Sequence, residues 1–426
     1  MLPIANAQSG EVEIVEEIQA TPDKKKGEWT IGGVQITAKK STNLDSGHSP
    51  KPGRLARVKY EIQEGQVIAS EIEPLKIDAA DITDGPHVIW QDATTAELIT
   101  FANGQASRRI EKGLVTPRII DGLAGPESSI TLDPNAPVPQ AAILDMPEKL
   151  LAISDLEGNY FNALRFLQNN NVLDEDGHWD WGKGHLVLIG DLVDRGSMVT
   201  ELMWMIRRLE REAETAGGKV HYVLGNHEAM VMAGDLRYIV DKYRFVTHRM
   251  GLTYDRLYAP DSEIGRWWRT KNGIMKIGDL LFVHAGYSPM LDQYGLDIDS
   301  LNQRIRAALP PVFATDGSNP AADPVGHKHG LFWYRGYFEQ HGEEWGGQAT
   351  PEQIEKILMR HNAKHIVIGH SVVEEVGSID DEGYVIGIDV EWAKPNASQG
   401  LLVENEKLWR LNMQAEREEI LNSVRN

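Results

Sequence analysis

The chain has 426 residues, 41% of them hydrophobic and 25% charged, with a formal charge of −20. That length allows two or three domains and a large core, and the acidic balance argues against a general nucleic-acid binder, which needs a basic face for phosphates. There is no cysteine, which excludes disulfides, thiolate metal sites and thiol nucleophiles, and no run has the length of a membrane-spanning helix.

Residues 1–24 are polar and acidic without a periodic core signal, and are expected to be disordered. Within them Ala5-Asn6-Ala7 has the small-x-small form of a cleavage site left by a trimmed signal. A periplasmic or otherwise exported protein is therefore expected, with a cytoplasmic one as the alternative.

Residues 25–120 read as a small all-β domain with a β extension. GEWTIGGVQITA and RVKYEIQEGQVIASEI are strand-like, and Val58, Tyr60 and Ile62 alternate with Lys59 and Glu61 before a turn at Glu64-Gly65. DGPHVIWQD and ELITFANG continue the pattern. The region carries no ligand cluster, so a structural appendage is favoured over a binding or positioning module. Residues 121–140 contain Pro126, Pro134, Pro137 and Pro139 and read as an extended linker.

From 141 to 413, strands alternate with helices, the pattern of an α/β layered fold. Helices are expected at 160–169, at 200–212 with Leu202, Met205, Ile206 and Leu209 on one face, and from Thr350-Pro351, where Gln353 completes a capping box. The last residues, 414–426, form a charged tail expected to be a surface helix.

Five stretches inside the α/β region share one form. LLAISDLEG (150–158), HLVLIGDLVDRG ending at Gly196, VHYVLGNHE ending at Glu228, LLFVHAG ending at Gly286 and HIVIGHS ending at Ser371 are β-rich apolar runs. Each stops on Asp, Asn or His beside a glycine, as a buried parallel strand does when it presents a ligand at its carboxyl end. Hydrolysis of a phosphate ester needs such a set. Two divalent cations about 3.5–4 Å apart require hard or borderline donors, a separate acid must protonate the leaving oxygen, and cationic side chains must grip the phosphoryl oxygens. Asp155 and Asp191 are carboxylates, Asn226 offers an amide oxygen, and His284 and His370 are imidazoles, all at strand ends. His227 can serve as the acid if Asp194 holds it charged, and Arg195 has the donor fork for a phosphoryl oxygen.

The combination D-x-x-G, GD-x-x-DRG, GNHE, H-A-G and GHS resembles the calcineurin-like metallophosphoesterases, and within them the phosphoprotein phosphatase branch. GKGHLVLIGDLVDRG, AGGKVHYVLGNHEAMVMAGDLRY, EIGRWWRTKN and FWYRGYF are similar to the Shewanella-like protein phosphatases and the bacterial cold-active protein-tyrosine phosphatase, over about Leu150 to Leu411. DGPHVIW is similar to the extra β region of the bacterial members. The resemblance implies a four-layer β-sandwich flanked by helices behind the small β domain. It also implies two divalent metals, with Asp155 and Asp191 at the first, Asp191 bridging, and Asn226, His284 and His370 completing the second. His227 with Asp194 would be the acid pair, and Arg195, Asn226 and Arg335 of WYRG would hold the phosphate. The implied reaction is hydrolysis of phosphomonoesters, phosphoproteins and phosphotyrosine among them, by in-line attack of a metal-bridging hydroxide.

One residue departs from the pattern. Most relatives carry D-x-H-G, whereas this chain reads Asp155-Leu156-Glu157-Gly158. As a ligand, Glu157 would harden the first site and favour Mn²⁺, with Mg²⁺, Fe, Zn²⁺ or Ca²⁺ as the other candidates. His327 and His329 are read as a loop or lid rather than a third metal site, Trp267-Trp268 as core or cap packing, and Asp389 as a strand end. The rivals are a phosphodiesterase or nucleotide pyrophosphohydrolase of the same superfamily, and a catalytically silent metal- or phosphate-binding protein. Val372 stands where many diesterases carry a second histidine, and GNHE replaces the GNHD of the nucleotide enzymes.

Overall fold

The computed structural model describes residues 11–420 apart from 24–25, 45–47, 122–126, 312–318 and 346. The Ala5-Asn6-Ala7 stretch lies outside the described residues.

Five strands, Val12–Ala20, Gly27–Ile31, Val34–Leu44, Arg54–Gln63 and Gln66–Asp78, close a barrel. Their alternation of apolar and polar side chains fills the interior with Ile18, Trp29, Ile31, Ile36, Val58, Tyr60 and Ile72. The first strand corrects the expectation of disorder for Val12–Ala20, within residues 1–24. Val12–Ala20 pairs with Arg54–Gln63 on one side and Gly27–Ile31 on the other. Its buried Glu16 is held by partners far along the chain, His248 Nδ1 at 2.6 Å and Arg249 Nε at 3.1 Å. Those partners invert the local signal, because acidic residues that look solvated are paired instead.

An antiparallel sheet of Asp84–Asp92, Thr95–Ala102 and Gln105–Glu111 follows, then the pair Arg118–Asp121 and Ser129–Leu132. That pair places a strand inside the stretch expected to be linker. Its Ile130 and Leu132 are buried with Trp90 and Leu98 of the three-stranded sheet.

The remainder is built on two six-stranded sheets sharing one hydrophobic core. One runs Lys219–Val223, His185–Ile189, Lys149–Ile153, Gln399–Glu404, Lys407–Asn412 and Arg417–Glu419; its first three strands are parallel. The other contains the parallel trio Leu280–Val283, His365–Ile368 and Val385–Gly387. Helix Val199–Ala216 packs on the first sheet and Ile298–Ala307 on the second, so helices lie outside both. The expected helices are present as Tyr160–Asn169, Val199–Ala216 and Pro351–His361, the last with its Thr350–Gln353 capping box. Up to Ile420 the tail differs from the expected surface helix. Arg417–Glu419 is a strand on Lys407–Asn412, and cross-strand pairs such as Lys407–Glu419 at 2.8 Å account for its charges.

Candidate active site

Both parallel trios point their carboxyl ends at the same place. Asp155 follows Lys149–Ile153, Asp191 follows His185–Ile189, and Asn226 follows Lys219–Val223. His284 and His370 follow Leu280–Val283 and His365–Ile368 in the facing sheet. The glycines explain how these turns fit together. A Cβ on Gly225 would collide with the Asp191 carboxylate, and one on Gly369 would collide with Ser154 Oγ and Asp155 Oδ2. Backbone strain gathers here too. Asp155, Glu157, Asp191, Asp194, Arg195 and His370 are six of the thirteen non-glycine residues with positive φ among those described.

Asp191, His284 and His370 bring one donor atom each within 4.8 Å of one another, a geometry that could hold a cation. His284 Nε2 lies 3.2 Å from Asp191 Oδ2 and 2.9 Å from Asn226 Oδ1, while its Nδ1 is 2.8 Å from the Ile189 carbonyl. Asp155 joins through its Oδ2, which accepts the His370 backbone N–H at 3.1 Å and the Ser154 hydroxyl. Burial, then the Asp191 charge, pushes the Asp155 carboxyl up, against the pull of His284. On Asp191 burial acts in the same sense, but His284 and His227 outweigh it and the carboxyl is lowered. His284 is raised to about 10, since the Asp191 carboxylate overcomes the desolvation that opposes charge.

His227 opens helix Asn226–Met232, and its backbone N–H donates to Asp191 Oδ1 at 2.9 Å. Its Nδ1 lies 2.7 Å from Asp194 Oδ2, and Nε2 is 3.7 Å from Asp191 Oδ2. Burial opposes its charge, yet Asp191 and Asp194 together raise its pKa above the ordinary value. Of the ten residues singled out from the sequence, eight line one cleft of about 360 Å³: Asp155, Glu157, Asp191, Arg195, Asn226, His227, Arg335 and His370. Asp194 and His284 lie behind its wall, 1% and 0% exposed.

The placement of Glu157 is the surprise. Its carboxylate accepts from the Arg195 guanidinium, which also lies over the Tyr238 ring at 5.1 Å. Neither Glu157 nor Asp155 is among the Asp191, His284 and His370 donors that lie within 4.8 Å of one another. Arg335 donates to Ser371 Oγ at 3.0 Å from the opposite wall.

Two residues matter more here than their motifs suggested. Glu228 is fully buried and accepts the backbone N–H groups of Asp191, Leu192 and Gly225 at 3.0, 2.8 and 2.8 Å and the Tyr222 hydroxyl at 2.8 Å. A buried carboxylate reaching across two strand ends fixes both the Asp191 turn and the start of the Asn226 helix. Its place as third helical residue after Gly225 was the available signal. Asp389, read as a strand end, lines the cleft while 5% exposed. By contrast Trp267 and Trp268 are core, Trp268 stacking on Tyr258 at 4.5 Å. His329 packs on Trp345 and Tyr334, and with His327 it joins no metal-capable group among the described residues.

Two α/β sheets that converge carboxylate, amide and imidazole donors beside a His–Asp pair and arginines define a metal-dependent phosphoesterase. The chain belongs to the calcineurin-like phosphoesterase family, whose profile matches residues 148–374. It is similar to the cold-active protein-tyrosine phosphatase of a psychrophilic Shewanella sp., with 32% identity, a TM-score of 0.71 and coverage of 80% of this chain and 100% of that one. Shewanella-like protein phosphatase 2 of Arabidopsis thaliana is 26% identical over 285 residues, 56% of this chain and 71% of the relative. Shewanella-like protein phosphatase 1 of Plasmodium berghei is 21% identical over 252 residues, 56% of this chain and 66% of the relative. The protein is a hydrolase of phosphoesters, and its family implies divalent metal ions. Among the described residues, no helix is long and apolar enough to cross a membrane.

Proposed function

We propose that the protein hydrolyses phosphomonoesters, including phosphotyrosine or phosphoserine/threonine side chains of proteins. The observation that carries this reading is the His227–Asp194 pair, 2.7 Å apart, beside one cleft that also holds Arg195 and Arg335. The similarity to a protein-tyrosine phosphatase supports a phosphoprotein substrate.

Asp155, Asp191, Asn226, His284 and His370 are the residues that would hold the cations. Buried His370 Nε2 has no hydrogen-bond partner, as expected of a nitrogen kept for a metal. Oxygen and imidazole donors without thiolate suit Mn²⁺, which we favour over Mg²⁺, Fe, Zn²⁺ and Ca²⁺. Bound there, divalent cations supply Lewis-acid polarisation of the phosphoryl group and an ionised water at neutral pH. The side chains do the rest. Arg195 and Arg335 grip phosphoryl oxygens and Asn226 adds an amide donor. His227 delivers a proton to the leaving oxygen, and Asp194 orients the imidazole and keeps it charged. Water is consumed, and an alcohol or phenol and inorganic phosphate are released.

Val372 lines the cleft and is 70% exposed, offering no donor where a diesterase would need one. The test is a panel of p-nitrophenyl phosphate, its bis-ester, a dinucleoside tetraphosphate and phosphotyrosine and phosphoserine peptides, each with Mn²⁺, Mg²⁺ and Zn²⁺. Monoester turnover exceeding diester turnover is expected. Preference for the bis-ester or the tetraphosphate would replace this reading, and no turnover with any metal would leave a binding protein.

A further inference from the structure

The loop after Lys149–Ile153 supplies Asp155 to the cleft, but the side chain two residues on is already engaged. Glu157 is bonded to the Arg195 guanidinium, and the Arg195 backbone N–H is tied to the Tyr238 carbonyl at 3.0 Å. Taking Glu157 to a cation would remove the carboxylate to which Arg195 donates. The loop then supplies Asp155 alone to that side of the centre.

Asp389 lines the same cleft as Asp155 and Asp191. The strand Val385–Gly387 pairs in parallel with His365–Ile368, Ile368 facing Gly387, so the chain beyond it emerges beside His370. The Asp389 carbonyl accepts the Val373 N–H at 2.8 Å, which pins the two loops together. Asp389 is 5% exposed, its carboxylate takes part in no hydrogen bond among the described residues, and Arg335 is a positive charge that acts on it. A buried carboxylate without donors is unfavourable unless an opposite charge compensates it. His370 Nε2 is buried without a hydrogen-bond partner.

We propose that Asp389 is a metal ligand completing the first cation position beside Asp155 and Asp191, and that Glu157 is a positioning residue for Arg195. The inference rests on the two-cation reading above. Glu157 then tunes phosphate affinity, and Asp389 tunes metal affinity.

The test titrates the chelator-stripped full chain with Mn²⁺ calorimetrically and counts bound metal by elemental analysis, with circular dichroism of each stripped variant as the folding control. Wild type is expected to take up two Mn²⁺ per chain. Asp389→Asn should retain one and weaken the other at least tenfold, while Asp389→Glu, which keeps an anionic oxygen, retains both. Glu157→Gln should keep both ions at unchanged affinity, while binding inorganic phosphate more weakly and raising KM more than it lowers kcat. Two Mn²⁺ at wild-type affinity in Asp389→Asn would overturn the proposal, as would loss of an ion in Glu157→Gln. Fewer than two ions in wild type would instead remove the two-cation reading itself.

Discussion

His227 Nδ1 sits 2.7 Å from Asp194 Oδ2, and that carboxylate, 1% exposed, has no other use in the cleft. The second oxygen of Asp194 is buried without a partner, and burial pushes this carboxyl up while the contact with His227 pulls it down. Such a pair keeps a proton on His227 for the leaving oxygen. Replacing His227 by Asn should lower kcat on a phosphoserine peptide by about 10²–10⁴-fold. The loss should be smaller on p-nitrophenyl phosphate, whose leaving group needs little protonation. Asp194→Asn should show the same ordering with a smaller loss. Equal losses on both substrates would remove the acid role.

Glu228 is the second expectation. Its four accepted hydrogen bonds come from Asp191, Leu192, Gly225 and Tyr222. Alanine would leave those buried donors unsatisfied, at about 1–3 kcal/mol each. Glu228→Ala should therefore lose more than about 3 kcal/mol in urea unfolding and nearly all activity, although it touches no substrate. Glu228→Gln should be intermediate, because its amide NH₂ would face one of those N–H groups. An alanine variant within about 0.5 kcal/mol of wild type would contradict this account.

What could be read from the sequence follows from how local each signal is. Gly190-Asp191, Gly225-Asn226 and Gly369-His370 are legible because the close approach that requires glycine and the ligand beside it are adjacent in the chain. The Pro351–His361 helix was legible through its capping box for the same reason. Val12–Ala20 was not, since its Glu16 is neutralised by residues more than 230 positions away. Asp389 was not, because only the parallel register of Val385–Gly387 on His365–Ile368 carries it to the cleft. Glu157 was placed on the right loop, but its pairing with Arg195 depends on the turn after His185–Ile189. The tail misled because its charges suit a helix face or a cross-strand ladder equally well.

Metal removal should affect stability as well as rate. Asp155, Asp191 and Asp389 crowd one buried cleft, and burial together with the neighbouring carboxylates pushes Asp155 and Asp389 upward. Cations binding the folded state alone add about 2.7 kcal/mol at a hundredfold excess over Kd. Chelation should abolish turnover and lower the Tm by several degrees, and Mn²⁺ should restore both. A Tm indifferent to chelator and Mn²⁺ would show that the cleft does not bind the ion.

Acid sensitivity should arise away from the cleft. His221 is 1% exposed, with its Nε2 3.1 Å from His185 Nδ1 on the neighbouring strand. Burial, then the His185, Lys219 and Lys271 charges, lowers its pKa from 6.5 to about 3. The folded chain thus keeps His221 neutral down to about pH 3, whereas the unfolded chain protonates it below about 6.5. Between those values the unfolded state binds more protons, so this group's contribution to stability is complete above pH 6.5 and is lost as pH falls. The slope approaches about 1.4 kcal/mol per pH unit. His185 is lowered by burial as well and adds in the same direction. Urea midpoints measured from pH 7.5 to 4.5 should fall more steeply in wild type than in His221→Leu, which cannot take up that proton. Parallel curves would mean that the imidazole pair does not govern acid stability, and that the carboxylates of the two sheets do.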